Sequence, residues 1–256
     1  MSRRVLSEPA PPADERVPYG DDPNQFVEFR YPAAAPGVLI IYIHGGFWRA
    51  RIDLSHSGHP CAAIAAAGHL SASIEYRRAG QEGGGWPGTL DDVRRAIQFT
   101  RTRHPDLPAV VIGHSAGGHL ALCMAAEMHD LHRVIAIGAV ADPRRAWELN
   151  LGDGAVTDFF GGTPDEFPDR YRIGPPVCSV LLIHGTMDEV VPIEIARSYR
   201  GGPLIELEGA DHFDSIDPQT AAFAETLRNL TPTEAPPLDL PSSPDGRGDN
   251  RRPGLQ

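Results

Sequence analysis

Lysine is absent from this chain of 256 residues, and all 23 of its basic positions are arginine. This absence excludes Schiff-base chemistry, a pyridoxal-binding lysine and the lysine of a phosphate-binding P-loop. Cysteine is scarce, because Cys61, Cys123 and Cys178 are too few and too widely spaced for a disulfide framework or a C-x-x-C zinc site. The net charge of −11 argues against a nucleic-acid partner.

Long apolar runs are also missing. No run approaches the roughly 20 residues of a membrane span. The N-terminus is polar and proline-rich, unlike a secretory signal, so we expect a soluble cytoplasmic protein without a membrane partner. The hydrophobic content of 41% suits one domain. We expect a flexible N-terminal arm over residues 1–20, the domain over residues 21–230, and a disordered tail over residues 231–256, which has little to bury.

Between the tails, apolar runs alternate with helical patterns. The predicted strands are Phe26–Tyr31, Val38–Ile43, Leu70–Tyr76, Ala109–Ile112, Val134–Ile137, Val180–Ile183 and Leu204–Leu207. The predicted helices are Pro60–Ala67, Leu90–Arg103, Ala116–Met128, Ile193–Tyr199 and Pro218–Leu230. This alternation predicts an α/β fold with a doubly wound, mostly parallel sheet. Residues 141–176 show no clear period and predict either a cap-like insertion or a surface excursion with its own apolar cluster.

A G-x-S-x-G motif, GHSAG, occupies residues 113–117 between a predicted buried strand and a helix that begins at once. A serine hydroxyl is a poor nucleophile, so it must be exposed and given a base. A sharp strand-to-helix turn exposes it, and the flanking glycines tolerate the strain and crowding of that turn. The strand before and the helix after are the context that the motif requires, and they make Ser115 a candidate nucleophile.

A glycine-rich segment, HGGFW at residues 44–48, follows the strand Val38–Ile43 directly. Its glycines allow backbone N–H groups to approach a ligand, as stabilisation of a developing oxyanion requires. Gly45 and Gly46 are therefore candidate oxyanion donors, together with the amide of Ala116 after the serine. An ordinary glycine-rich turn is the alternative interpretation of HGGFW taken alone.

Two further candidates follow the last two predicted strands. Asp188 stands in the loop after Val180–Ile183, and His212 stands in the loop after Leu204–Leu207. In a doubly wound sheet the ligand site lies beyond the carboxyl ends of the strands, so these residues can meet there. The order serine, aspartate, histidine is the order of the α/β-hydrolases. Asp142, after Val134–Ile137, is the alternative acid.

The pieces HGGFW, EYRR, GHSAGGHL, HGTMDEVVP and GADHFDSIDP resemble the α/β-hydrolase superfamily, and most of all its esterase and arylformamidase (kynurenine formamidase) branch. The resemblance covers about residues 19–230. It implies Ser115 as nucleophile, His212 as base and Asp188 as the residue that orients the base. It also implies an oxyanion hole formed by the amides of Gly45, Gly46 and Ala116.

The sequence thus predicts a serine hydrolase that cleaves a small-molecule carboxylic ester or aryl formamide without a cofactor. Phe47 and Trp48 are candidates for an apolar substrate pocket, although core packing is at least as good an interpretation. His56 and His59 form an H-x-x-H pair, but surface placement is favoured over a metal site. A serine exopeptidase and a non-catalytic binding protein on the same fold remain alternatives, and nothing indicates the oligomeric state.

Several polar residues near these motifs are expected to be structural. His114 and His119 flank the serine turn, and His184 ends a strand. His44 is expected to shape its loop. Glu75 belongs to the EYRR piece, where a buried or bridging ion pair is the simplest interpretation.

Overall fold

The computed structural model describes residues 3–230 and contains an eight-stranded sheet. The strands are β1 (Glu15–Pro18), β2 (Phe26–Arg30), β3 (Leu39–Ile43), β4 (Leu70–Ile74), β5 (Ala109–His114), β6 (Arg133–Ile137), β7 (Ser179–Gly185) and β8 (Leu204–Leu207). Their order across the sheet is β1-β2-β4-β3-β5-β6-β7-β8. β2 pairs antiparallel with both β1 and β4, and every pairing from β4 through β8 is parallel. This confirms the predicted doubly wound, mostly parallel sheet.

The helices cover both faces of this sheet. They are α1 (Arg4–Ser7), α2 (Gly58–Ala66), α3 (Gly88–Arg103), α4 (Ala116–Glu127), α5 (Pro143–Glu148), α6 (Ala155–Phe160), α7 (Ile193–Ser198) and α8 (Ala221–Arg228). None of the helices within residues 3–230 combines the length and the hydrophobicity needed to cross a lipid bilayer.

Alternate residues of the central strands enter two separate cores, which explains why those strands are continuously apolar in sequence. In β3, Leu39, Ile41 and Ile43 pack in the core that includes residues of α3 and α4. Ile40 and Tyr42 of the same strand pack in the opposite core, with residues of α2 and α8. All five β3 side chains are buried, so the strand is fixed by both layers.

The N-terminal residues differ from the expected flexible arm. β1 pairs antiparallel with β2 from Glu15 opposite Phe29 to Pro18 opposite Phe26. Ahead of it, α1 inserts the buried side chain of Val5 into the core on the α2 face. One buried side chain holds this four-residue helix, and hydrogen bonds to one neighbour hold the edge strand. Neither element therefore needs a repeated apolar pattern, and the sequence shows no periodic signal for them. The disordered tail expected over residues 231–256 lies outside the described residues.

Residues 141–176 contain α5, α6 and a short 3-10 turn. Phe159 and Phe160 of α6 are fully buried, and they belong to the main core rather than to a separate cluster. Phe159 stacks on Trp48, with ring centroids 4.6 Å apart. This segment is therefore attached to the sheet through an aromatic contact close to the end of β3.

Candidate active site

Ser115 lies at the turn between β5 and α4, where the backbone is strained. Its φ of 57° and ψ of −119° place a non-glycine residue in the left-handed half of conformational space. Its own N–H donates to the carbonyl of Ile137 in β6 at 2.8 Å, which holds the turn in place. Strain that the surrounding structure enforces is typical of functional positions.

The glycines around Ser115 are required because backbone atoms of neighbouring segments occupy the space that a Cβ would need. A Cβ on Gly113 would stand 2.1 Å from the carbonyl oxygen of Gly117, and one on Gly117 would stand 2.2 Å from the carbonyl oxygen of Ile43. The turn therefore brings β5, the start of α4 and the end of β3 into direct backbone contact.

The glycine-rich loop after β3 lies against the same serine. A Cβ on Gly45 would come within 2.9 Å of the Ser115 Cβ, and Gly46 has a φ of 114° that favours glycine. Ala116 is the first residue of α4, so its amide N–H has no partner inside the helix. The structure thus places all three predicted oxyanion residues next to Ser115.

A buried histidine–carboxylate contact supports this loop. His44 Nε2 lies 3.0 Å from Glu75 Oε1, and His44 Nδ1 lies 2.8 Å from the carbonyl of Gly45. The Tyr76 hydroxyl donates to the carbonyl of His44 at 2.8 Å, and the amide of Leu54 donates to Glu75 Oε2 at 2.9 Å. Burial would raise the pKa of Glu75, but His44, Arg78 and the amide of Tyr76 together outweigh it and lower that pKa.

His212 and Asp188 meet beyond the ends of β8 and β7. His212 Nδ1 lies 2.7 Å from Asp188 Oδ2, and both residues are buried. The other carboxylate oxygen, Oδ1, accepts from the amides of Val190 and Val191 at 2.9 and 2.8 Å. With Nδ1 engaged by the carboxylate, Nε2 is the ring nitrogen of His212 that remains for proton transfer.

A second histidine contacts the same carboxylate. His184 Nε2 lies 3.1 Å from Asp188 Oδ2 and 2.8 Å from the carbonyl of Val191. Burial would raise the pKa of Asp188, but the hydrogen bonds from His184 and His212 outweigh it and hold that pKa well below its usual value. The sequence predicts only that His184 is packed, and this contact with Asp188 was not predicted. Its spacing of four residues from Asp188 in the HGTMD segment was the available signal.

The alternative acid lies elsewhere. Asp142 caps the start of α5, where its Oδ1 accepts from the amide of Arg145 at 2.9 Å. Its Oδ2 lies 3.5 Å from the hydroxyl of Ser198. The structure therefore brings Asp188 rather than Asp142 against His212.

The histidine pair considered for a metal is split between two environments. His59 Nε2 bonds to the carbonyl of Glu8 at 3.1 Å, whereas His56 lines the cavity at Ser115. Over residues 3–230, no three His, Cys, Asp or Glu side chains are grouped in a way that would hold a metal ion.

Ser115 and His212 share the wall of a cavity of about 210 Å³. The rest of the wall is mainly apolar and is formed by Leu6, Gly46, Phe47, Ile52, His56, His114, Val190 and Phe213. A second cavity of about 190 Å³ adjoins it and shares His212, Phe213 and Val190. A larger hollow of about 430 Å³ lies between residues 141–143 and 198–201, and it contains neither Ser115 nor His212.

The two aromatic residues predicted for the pocket have different surroundings. Phe47 lines the cavity, as expected. The prediction for Trp48 is corrected, because its side chain is fully buried between Phe159 and the edge of the His119 ring. Both Phe47 and Trp48 have positive φ, 51° and 56°. This tight turn directs consecutive side chains to opposite sides, which a sequence pattern does not reveal.

The remaining histidines at the cavity carry no charge at neutral pH. Burial lowers the pKa of His56 to about 4 and lowers the pKa of His114 well below its usual value. His114 Nε2 lies 3.0 Å from the carbonyl of His212, and the two rings pack with centroids 4.6 Å apart. His114 therefore supports the loop that carries His212, and neither His56 nor His114 adds a charge to the cavity beside Ser115.

A strand order of this kind, with a strained serine at the β5–α4 turn, defines the α/β-hydrolase fold. Esterase B from Lactobacillus rhamnosis has the same fold, with a TM-score of 0.73 and 18% identity over 89% of this chain and 88% of that one. The sequence pattern of the BD-FAE family matches residues 30–164, just over half of the chain. The chain belongs to the BD-FAE family.

Two curated relatives share part of the sequence. Esterase LipC of Mycobacterium tuberculosis is 28% identical over 247 residues, which cover 79% of this chain and 60% of that protein. Kynurenine formamidase avaC of Aspergillus versicolor is 34% identical over 112 residues, which cover 37% of each chain. This chain thus spans less than two thirds of the length of either relative.

Proposed function

We propose that this protein is a serine hydrolase that cleaves small-molecule carboxylic esters, with Ser115 as nucleophile, His212 as base and Asp188 as the acid that orients the base. One observation carries the proposal. His212 bonds to Asp188 through Nδ1 at 2.7 Å and lines the same cavity as Ser115. A histidine fixed by a carboxylate beside a strained serine is the arrangement that activates a hydroxyl.

The reaction is a two-step acyl transfer. His212 Nε2 takes the proton of the Ser115 hydroxyl as Oγ attacks the ester carbonyl, and Asp188 stabilises the resulting imidazolium. The amides of Gly45, Gly46 and Ala116 receive the developing oxyanion, where one such donor contributes about 2.7–4 kcal/mol. His212 then protonates the leaving alcohol. Water, activated by the same histidine, hydrolyses the acyl-enzyme and releases the acid.

The cavity favours a short, uncharged substrate group. Its volume of about 210 Å³ is below the roughly 300–1,000 Å³ of sites for drug-sized ligands. Phe47, Ile52 and Val190 supply apolar walls, and because of their lowered pKa values His56 and His114 add no positive charge to them. Short-chain acyl esters fit this chemistry, and two of the similar proteins carry the name esterase.

An aryl formamide is the second candidate substrate. A formyl group needs a small acyl site, as this cavity provides, and one relative is named a kynurenine formamidase. The reaction would use the same serine, base and oxyanion donors. A cytoplasmic location stays a prediction.

Hydrolysis of p-nitrophenyl acetate, butyrate and octanoate, compared with N-formylkynurenine, tests the proposal. We expect activity on the short esters, and a loss of about 10³-fold or more in kcat/KM for Ser115→Ala. Ser198→Ala is the matched control, because Ser198 is exposed and its hydroxyl donates to the carbonyl of Ile195. A fluorophosphonate should add covalently to wild type and not to Ser115→Ala. Equal hydrolysis by Ser115→Ala and wild type would overturn the assignment.

A further inference from the structure

The N-terminal helix α1 forms part of the wall around Ser115. Leu6 lines the same cavity as Ser115 and His212, and 48% of its surface is exposed. Arg3, three residues earlier, lines the adjoining cavity together with His212. Four residues of chain therefore border both spaces that open at His212.

Three contacts fix α1 in this position. The side chain of Val5 is 2% exposed and packs in the core on the α2 face. Arg4 Nη2 pairs with Asp217 Oδ1 at 2.5 Å, and that carboxylate is almost fully buried. The carbonyl of Glu8 bonds to His59 Nε2 at 3.1 Å. Arg4 and Val5 thus hold the helix in place, whereas the next residue, Leu6, lines the cavity.

Leu6 has the properties of a substrate contact rather than of a core residue. A large apolar side chain left half exposed at the mouth of a small cavity gains burial when an apolar group enters beside it. The facing wall, formed by Phe47 and Ile52, belongs to the glycine-rich loop and the residues that follow it. That loop lies within residues 30–164, which match the family, whereas α1 lies outside that match. Leu6 therefore contributes to this cavity from outside the part of the chain that matches the family.

We propose that Leu6 is a specificity-determining residue that limits the length of the acyl chain accepted beside Ser115. This inference rests on the proposed ester hydrolysis. Shortening Leu6 removes three carbons from the wall and leaves room for about two more methylene groups of substrate. Lengthening it fills the cavity and excludes all but the smallest acyl groups.

A series of p-nitrophenyl esters from acetate to octanoate tests the wall. For Leu6→Ala we expect the ratio of kcat/KM on hexanoate to that on acetate to rise about tenfold, since each buried methylene contributes about 0.8 kcal/mol. For Leu6→Trp we expect the same ratio to fall about tenfold. Arg4→Gln, which weakens the anchor at Asp217, should shift the ratio in the direction of Leu6→Ala by a smaller factor.

Val177→Ala is the matched control, because Val177 is a comparably exposed apolar residue that lines neither cavity. It should leave the chain-length profile unchanged. The Leu6 and Val177 variants should keep the thermal midpoint of wild type within a few degrees, because both side chains are partly exposed. If wild type hydrolyses the esters and the Leu6 variants retain its profile, Leu6 has no such role. If wild type hydrolyses none of them, the proposed function itself fails.

Discussion

Two buried histidine–carboxylate pairs lie at the carboxyl edge of the sheet. His212 pairs with Asp188 at 2.7 Å beyond β8 and β7, and His44 pairs with Glu75 at 3.0 Å beyond β3 and β4. Both carboxylates have a lowered pKa, because their histidine partners together with other neighbouring groups outweigh the effect of burial. By residue type, burial and distance the two pairs are nearly indistinguishable.

They differ in what the second ring nitrogen does. In His44, Nδ1 bonds to the carbonyl of Gly45, so both nitrogens are engaged and the ring can only hold the loop. In His212, Nδ1 is engaged by Asp188 and the ring lines the cavity that also contains Ser115, so Nε2 is the nitrogen left for proton transfer. Proton transfer requires a ring nitrogen that is free to reach the reactants. Support of a loop instead uses both ring nitrogens in hydrogen bonds within the protein. The proposed roles of the two pairs follow from this difference.

The largest expected effect is on the His212 pair. Asp188→Asn keeps the shape of the side chain but removes the charge that stabilises the imidazolium, so we expect kcat on p-nitrophenyl acetate to fall by about 10⁴-fold. Urea denaturation should show that the variant still folds, because Asn can still accept the amides of Val190 and Val191. A decrease of less than tenfold would contradict the role given to Asp188.

The His44 pair should respond in stability instead. Glu75→Ala leaves the His44 ring and the amide of Leu54 without their acceptor, and breaking a buried pair in this way costs about 3–5 kcal/mol of unfolding free energy. Urea denaturation measures this loss. The folded fraction should retain activity well above that of Asp188→Asn. If Glu75→Ala were as stable as wild type but fully inactive, the proposed difference in role between the two pairs would be wrong.

A buried histidine without a carboxylate provides the contrasting case. Burial lowers the pKa of His119 to about 3, against its ordinary value near 6.5. The unfolded chain therefore binds the proton first as pH falls. The stability due to the neutral ring is complete above pH 6.5 and is lost towards pH 3, by about 1.4 kcal/mol per pH unit.

Urea denaturation at pH 7, 6 and 5 measures this effect. His119→Leu should show a shallower loss of unfolding free energy with acid than wild type. His129→Leu, at an exposed position, should not change the slope. Equal slopes for wild type and His119→Leu would show that His119 is not the group responsible.

The smallest effect is expected at Asp142. Asp142→Ala removes the cap of α5 and should cost about 1 kcal/mol of unfolding free energy. The kcat on short esters should stay within about twofold of wild type, since Asp142 does not contact His212. A loss comparable to that of Asp188→Asn would reassign the acid.

Much of this architecture could be predicted from the sequence, because two-sided burial leaves a strong signal. Continuously apolar runs such as Leu39–Ile43 mark strands covered on both faces, and all seven predicted strands are present. The glycines of the serine turn marked a close approach that the structure confirms at Gly113 and Gly117. These features depend on local chemistry that a sequence displays directly.

The features that were missed depend on contacts between distant parts of the chain. β1 and α1 are held by partners elsewhere in the fold, and α1 is too short to show a period. Trp48 enters the core because of a backbone turn, and His184 reaches Asp188 because β7 ends beside the following loop. Each of these contacts requires knowledge of the neighbouring element, which the local pattern does not contain.

The residues of the candidate site come from two separate parts of the chain. The glycine-rich loop and Ser115 come from β3 and β5, within residues 30–164, whereas Asp188 and His212 follow β7 and β8. The residues proposed to hold the acyl group and those proposed to move the proton thus lie in separate parts of the chain. The pairing of β6 with β7 brings the two parts together. A reading frame that stopped after residue 164 and before β7 would still carry the family's sequence pattern, but its product would lack both residues proposed to activate the serine.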